Sequence, residues 1–319
     1  MAPRPSNPVE IGLTAAIVAM RGDAPQILVA GAGPGEAIGL PTGPFDPLAH
    51  RTFELALRTF VAEQTALEVG YVEQLYTFGD RGRQARAGDR DPHVVSVGYL
   101  ALTRLPEDDK ALAAAGASFE PWYRFFPWED WRGGRPALLD KTILPALATW
   151  AKDAQRALAG RERLRQAFGT EGFPWDEERA LDRYELLYEA VLVEEARRDG
   201  RQAPSRGKLA PLGEPMPLDH RRILATAISR LRAKMKYRPV VFELMPPEFT
   251  LTDLQHTVEA IAGRHLHKQN FRRLVDATQL VEPTGDTSTV TGGRPAALYR
   301  FRREVLAERP SAGLRFGGR

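Results

Sequence analysis

The sequence predicts an α+β protein of two folded parts, the second a helix-turn-helix module followed by a pair of strands. Three observations predict it. Strand and helix patterns mix in the N-terminal part, as in α/β and α+β domains. The Pro- and Gly-rich stretch "GRQAPSRGKLAPLGEPMP", Gly200 to Pro217, reads as a linker to the rest. Charge divides at the same place: from Pro217 to Arg319 there are 18 Lys and Arg against 10 Asp and Glu, a net +8, whereas the remainder is −5. A basic C-terminal third on an acidic body implies a polyanionic partner for that third.

At 319 residues, 43% hydrophobic and 27% charged, the chain has the length and composition of a globular protein with more than one core. Its start, "MAPRPSNPVEI", lacks the apolar centre of a signal peptide, and the longest apolar stretch, Ile11 to Met20, is too short to span a bilayer. The expectation is a cytoplasmic protein with no membrane partner. The absence of cysteine excludes disulfides and thiolate catalysis, and leaves His, Asp and Glu as the available metal ligands. His220, His256, His265 and His267 have no metal-ligand spacing, so no metal site is assigned.

In order along the chain, residues 9 to 20 and "QILVAG" (26 to 31) read as strands joined by "RGDAPQ". A Gly/Pro-rich loop leads to a helix from about Arg51 to Leu67, with Phe53, Leu57, Phe60, Val61 and Leu67 at helical spacing. "YVEQLYTFG" and "HVVSVGYLALT" come next as strands around the arginine-rich loop "DRGRQARAGDRDP". The aromatic run "FEPWYRFFPWEDWRGGRP" reads as anchors closing a core edge rather than as a base-stacking platform. Residues from about Leu138 to Ala167 and Asp176 to Arg198 read as helical, with Leu181, Tyr184, Tyr188 and Val191 on one face and "EEARRD" as a solvated end. "GAGPGEAIG", Gly31 to Gly39, is rejected as a dinucleotide fingerprint because Glu36 stands where the third glycine belongs.

The C-terminal third carries sharper signals. Thr250 with Asp253 makes a capping box, Phe249 with Leu254 a hydrophobic staple, and Gly263 is placed to end the helix they start. After "RHLH" a second helix runs from about Lys268 to Gln279. Phe271, Leu274, Val275 and Thr278 share its inner face, which turns Gln269, Arg272, Arg273 and Asp276 outward. The loop "VEPTGDTSTVTGGRP" and the strand "AALYRFR" then complete a winged-helix order. In such a module Lys and Arg neutralise phosphates while Gln, Asn and Arg read base edges. The DNA-binding candidates are Lys268, Gln269, Asn270, Arg272 and Arg273, with Arg294 on the wing for a minor groove.

The stretches "EQLYTFGD", "RDP", "VVSVGYLAL", "LDHRRILATAISRLRAKMKYRPVVFELMPPEFTLTDLQ", "KQNFRRLV" and "GGRPAALYRFR" resemble the Nudix-related transcriptional regulators of NAD metabolism, the NrtR type. The resemblance implies a Nudix-like α/β/α sandwich with a helical insertion, followed by a C-terminal winged helix-turn-helix domain. The corresponding boundaries are 1–135 for the effector-sensing domain, 136–217 for insertion and linker, 218–303 for a linking helix and the DNA-binding domain, and 304–319 for a flexible tail. It also implies a homodimeric repressor of NAD-metabolism genes on an operator of double-stranded DNA, with ADP-ribose or a related nucleotide as effector and no required cofactor.

A working Nudix box collects helix glutamates to hold magnesium, which needs anionic oxygen ligands. Aligned on "EQTAL", this chain has Arg51 at the first glutamate, Thr59 at the arginine and Phe60 at the next glutamate. Glu63 survives, Gln64 replaces the last glutamate, Ala66 the glycine, and Gly43 supplies the first glycine. With two principal ligands neutral, efficient hydrolysis is not expected and no catalytic residue is assigned. Arginines can still hold a diphosphate, so the effector candidates are Arg58, Glu63, Arg81, Arg83 and Arg90, with Arg86 in the same loop. Two alternatives remain at this level: a hydrolase of ADP-ribose-like compounds using Glu63, and a non-catalytic nucleotide-binding scaffold whose C-terminal module docks on protein.

Overall fold

The computed structural model describes residues 9–31, 38–65, 67, 69–80, 93–152, 157–202, 211–288, 295–308 and 313–315. Its N-terminal strands are β1 (Val9–Arg21), β2 (Ala24–Ala30), β3 (Thr42–Pro44), β4 (Tyr71–Phe78), β5 (His93–Leu102) and β6 (Ala117–Pro121). They form one sheet in the order β4-β5-β1-β2-β6, with β3 added to the first half of β1. The β1–β5 pair is parallel and the others are antiparallel. The first turn is tighter than "RGDAPQ" suggested: Arg21 pairs with Ala24 and Met20 with Pro25, so Ala24 to Gln26 already belong to β2.

β1 is apolar on both faces because both are covered. Leu13, Ala15, Ile17 and Ala19 pack with Leu28, Val97, Tyr99 and Ala101 against α1 (Phe53–Thr65), which contributes Ala56, Leu57, Phe60 and Val61. Each of the larger side chains buried there contributes roughly 1.5–3 kcal/mol. The opposite face, with Ala16, Val18, Ile27, Val29 and Leu100, carries the larger core. The short α2 (Lys110–Ala114) precedes β6.

The segments C-terminal to the sheet pack into that larger core. A 3₁₀ turn, Trp122–Arg124, opens the aromatic run, and Trp122, Phe125, Phe126 and Trp128 are fully buried. They are central packing rather than an edge. The helical segment is more broken than its periodicity implied: a π turn Leu139–Ile143, α3 (Leu144–Trp150), α4 (Ala157–Phe168), a 3₁₀ turn Glu177–Arg179, α5 (Ala180–Glu189) and α6 (Glu194–Arg198). Tyr184 and Tyr188 are buried as the spacing predicted, whereas Val191 lies beyond the end of α5 at φ 55°.

"EEARRD" is not a solvated end. Glu195 is buried and sits 3.3 Å from the buried Arg221, while Arg198 donates to the carbonyls of Met216 and Leu218. The linker is likewise packed where it is described, with Leu212 and Met216 both buried.

α7 (His220–Met235) is the expected linking helix, but it is also the second helical layer of the sandwich. Ile223, Leu224, Ala227, Ile228 and Leu231 are fully buried in the larger core. The winged helix comprises a 3₁₀ turn Val240–Glu243, α8 (Leu251–Ala262), α9 (Lys268–Thr278), β7 (Val281–Ser288) and β8 (Ala296–Phe301). β7 corrects the expectation of a loop over "VEPTGDTS": these residues pair with β8 across a register shift between Pro283 and Thr287. The tail is also folded back in part, through α10 (Val305–Glu308), with Val305 and Leu314 buried and Leu314 N donating to Met235 O. Among the described residues no helix is long and apolar enough to cross a membrane.

Candidate nucleic-acid interface and nucleotide site

The interface begins with α8. Thr250 Oγ1 accepts from Asp253 N, Asp253 Oδ2 accepts from Thr250 N, and Phe249 and Leu254 are buried as a staple. Gly263 ends the helix at φ 75°, where a Cβ would lie 2.3 Å from Glu129 O, so only glycine fits.

The turn into α9 is organised by Glu259, a residue that carries no motif in the sequence. Buried Glu259 accepts from Leu266 N and Gln255 Nε2, and its other oxygen lies 2.8 Å from His265 Nδ1. Burial pushes its carboxyl up, but the bonds from His265, Gln255 and Leu266 outweigh that and hold it below the ordinary range. The i, i+7 spacing of Glu259 and Leu266 was the signal available, and it requires knowing the turn.

On α9, Phe271 and Val275 anchor the inner face and Leu274 and Thr278 are half-buried. Lys268, Gln269, Asn270, Arg272 and Arg273 are all exposed. Lys268, Gln269, Arg272 and Arg273 share the outward face of its first turns, whereas Asn270 lies beside Phe271 and Leu274 in the lining of a cavity. Arg294 lies outside the described residues. Flanking it, β7 and β8 form the arms of the wing, with Arg300 paired to Glu282. Phe249 and Tyr299 exchange two backbone hydrogen bonds, tying the wing to the start of α8.

The nucleotide-site candidates divide. Arg58 on α1 is engaged internally, donating to Glu54 and to the carbonyls of Val69 and Gly70, which fastens the helix to the segment before β4. Glu63 is exposed on the same helix. Arg81, Arg83, Arg86 and Arg90 lie outside the described residues, but Asp80 immediately before them is paired with Arg222 of α7.

The residues that the sequence alignment sets against the glutamates of a Nudix box are engaged in other contacts. Phe60 is 8% exposed, and a Cβ on Gly43 would lie 3.0 Å from its ring, so the ring fills the space under β3. Gln64 uses its Nε2 to donate to Thr42 O at 2.8 Å, and Thr59 bonds back to Leu55 O. Magnesium requires oxygen ligands with charge to offset its dehydration. A phenyl ring and an amide that presents its N–H groups supply neither. Among the described residues no group of three or more His, Asp or Glu is placed to hold a metal.

α7 joins the two sites. On the sheet side Lys234 Nζ lies 2.6 Å from Glu73 of β4 and donates to Tyr71 OH, and Arg230 lies 3.1 Å from Glu73. On the winged-helix side Arg232, fully buried, donates to Ile261 O at the end of α8 and to Glu129 at 2.6 Å. Glu129 also binds Arg183 of α5, and Tyr123 OH donates to Ala260 O. The last carbonyls of α8 therefore receive a guanidinium and a phenol, which suits the negative end of a helix dipole.

Residues 241–301 match the family model of the NrtR DNA-binding winged helix domain. The C-terminal segment from the 3₁₀ turn to β8 is thus similar to that winged helix domain. A curated relative, the ADPR responsive transcriptional repressor NtrR of Acinetobacter baylyi, is 45% identical over 86 residues, which are 27% of this chain and 34% of that protein. The match thus spans about a third of that relative's length. Shewanella oneidensis NrtR in complex with a 27mer DNA has the same fold: the TM-score is 0.54 at 20% identity, over 93% of this chain and 95% of that one. A MutT/nudix family protein from Enterococcus faecalis gives a TM-score of 0.52 at 16% identity, over 94% and 90% of the two chains. The sheet with α1 and α7, followed by the winged helix, accordingly shares the fold of these two structures.

Proposed function

We propose that this protein is a DNA-binding transcriptional repressor whose Nudix-like domain senses ADP-ribose or a related nucleotide without hydrolysing it efficiently. The observation that carries the reading is the exposed face of α9, where Lys268, Gln269, Arg272 and Arg273 stand on a scaffold similar to the NrtR winged helix. Arg272 and Arg273 supply phosphate neutralisation and guanine contacts, Gln269 an adenine contact, and Arg294 a minor-groove contact. The protein acts as a homodimer on a pseudo-palindromic operator, two copies of α9 reading two half-sites.

The effector reading is supported by the name of the Acinetobacter relative, ADPR responsive, and by the box positions taken up by Phe60 and Gln64. Arg81, Arg83 and Arg90, with Glu63, contact the nucleotide. Binding there acts on Asp80 and hence on Arg222 of α7, whose far end is bonded to α8 through Arg232. A ligand shifts DNA affinity by as much as its affinity differs between the two geometries of that path.

The test is an electrophoretic shift of upstream DNA by wild type and by the double variant Arg272→Ala, Arg273→Ala, each also titrated with ADP-ribose. The wild type gives a specific, salt-sensitive complex, and the variant loses at least tenfold in DNA affinity while binding ADP-ribose as wild type does. Equal loss of both affinities, or no specific complex with the wild type, overturns the reading.

A further inference from the structure

The last turn of α7 and its cap carry three side chains that hold the winged helix and the sandwich together. Arg232 donates to Ile261 O of α8, Lys234 lies 2.6 Å from Glu73 of β4, and Lys236 lies 2.5 Å from Glu178 of the helical segment. Residues 236–239, "KYRP", then lead directly into the 3₁₀ turn that opens the winged helix. This helix end lacks a donor of its own. By helical spacing Met235 O should accept from the amide of residue 239, but that residue is proline and has no N–H. Met235 is 1% exposed, so water does not stand in for it.

The missing donor comes from the tail. Leu314 N donates to Met235 O at 2.8 Å, and the Leu314 side chain is buried in the larger core. Gly313 lies flat on the joint: a Cβ there would come within 2.5 Å of Lys236 C and Tyr237 Cα, which are backbone and cannot swing aside. Arg315, exposed, lines a cavity of about 780 Å³ together with Asn270, Phe271 and Leu274 of α9. The winged helix is therefore tied to one turn of α7 at both its ends, at its entry through residues 236–239 and, beyond β8 and α10, through residues 313 and 314.

We infer that residues 313–315 form a strap that caps α7, plugs the joint with Leu314 and so holds the winged helix in one orientation on the sandwich. Lifting the strap leaves a buried carbonyl without its donor and a core position without its leucine, and both favour unwinding of the last turn of α7. Because Arg232, Lys234 and Lys236 all belong to that turn and its cap, their contacts go together. The docking of α8 is accordingly conditional on the tail, and only with the strap in place do sandwich and winged helix move as one body. This holds whatever α9 and the sandwich bind, so it stands independently of the DNA and nucleotide readings.

The amide of Trp131 donates to Gly263 O at 2.6 Å, from the aromatic run to the end of α8, and reports the docking directly. Amide hydrogen exchange, followed by mass spectrometry, is compared in the full chain and in full-length Gly313→Val, Leu314→Asp and the milder Leu314→Ala, each checked for folding by thermal melting. In the variants Trp131 and Arg238 exchange at least tenfold faster, whereas the amides of β1, β5 and the interior of α8 stay within about threefold of wild type. Leu314→Met, which keeps both the plug and the donor, exchanges as wild type does. Wild-type protection of Trp131 in every folded variant overturns the strap. Acceleration of β1, β5 and α8 by the same factor as Trp131 also overturns it, since the tail would then be ordinary core packing. If Gly313→Val and Leu314→Asp do not fold, Leu314→Ala decides by the same two criteria.

Discussion

Replacing Glu129 by glutamine keeps the shape of the side chain and removes one charge at the junction of three elements. Glu129, Arg183 and Arg232 all have fully buried side chains, with Glu129 oxygens 2.5 Å from Arg183 Nε and 2.6 Å from Arg232 Nη1. In Glu129→Gln two guanidiniums stay buried with no counter-charge, and one new amide donor faces their N–H groups. Breaking a buried ion pair from one side costs about 3–5 kcal/mol. At about 2–4 °C per kcal/mol for domains of this size, melting falls by roughly 10 °C. Burial pushes the Glu129 carboxyl up, but attraction and hydrogen bonds from Arg183 and Arg232 outweigh it and hold it below the ordinary range. The folded pKa is thus below the unfolded one. The stabilisation is complete above the unfolded value and is lost only as pH falls through the folded one. The wild-type-minus-variant gap in calorimetry should accordingly be flat between about pH 8 and pH 5 and shrink below that. A variant within about 1 kcal/mol of wild type, well under that expected cost, would refute the reasoning.

Three further outcomes rest on single contacts. His220 is buried with its Nδ1 accepting from Leu40 N, and burial, with Arg198 nearby, pulls its pKa from 6.5 down to about 4. Its neutral form is favoured in the folded state, so stability present above pH 6.5 falls by about 3 kcal/mol as pH drops to about 4; urea midpoints for wild type and His220→Gln that fall in parallel over this range would contradict that. Gly39→Ala places a Cβ 2.6 Å from His220 Nδ1 and 2.8 Å from Pro217 Cγ. It should lower stability by about 1–3 kcal/mol in the same urea assay, and an unchanged midpoint would show that the approach is not tight. Arg222→Ala separates α7 from Asp80 and Glu185. It should leave DNA affinity and ADP-ribose affinity within about threefold of wild type while reducing the effect of one on the other, measured by fluorescence anisotropy; full coupling in this variant would exclude the Asp80 route.

What the sequence disclosed, and what it hid, divides along the range of the interactions. The capping box at Thr250, the staple of Phe249 and Leu254 and the stop at Gly263 were readable because each is closed within a few residues. The outward face of α9 came from periodicity alone. The structural tasks of Phe60 and Gln64, filling the space under Gly43 and bonding Thr42 O, were not readable, because each is set by a loop about twenty residues earlier in the chain. Hidden were the features that join distant segments. Glu129 meets Arg183 across 54 residues and Arg232 across 103. Glu195 looked like part of a solvated charge run because its partner, Arg221, lies 26 residues on. β7 was missed because Pro283 and Gly285 are poor strand formers. In a two-stranded wing a proline has an unpaired edge to face, so pairing with β8 overrides local preference.

The most direct test of the central claim is a fluorescence-anisotropy titration of labelled operator DNA with the full chain, with and without ADP-ribose, in the presence of magnesium. The nucleotide is recovered and analysed at the end. DNA binding is expected to be salt-sensitive, with a Kd that changes when ADP-ribose is added and with the ADP-ribose recovered intact. Rapid conversion of the nucleotide to its monophosphate products, or a DNA affinity indifferent to its presence, would contradict it.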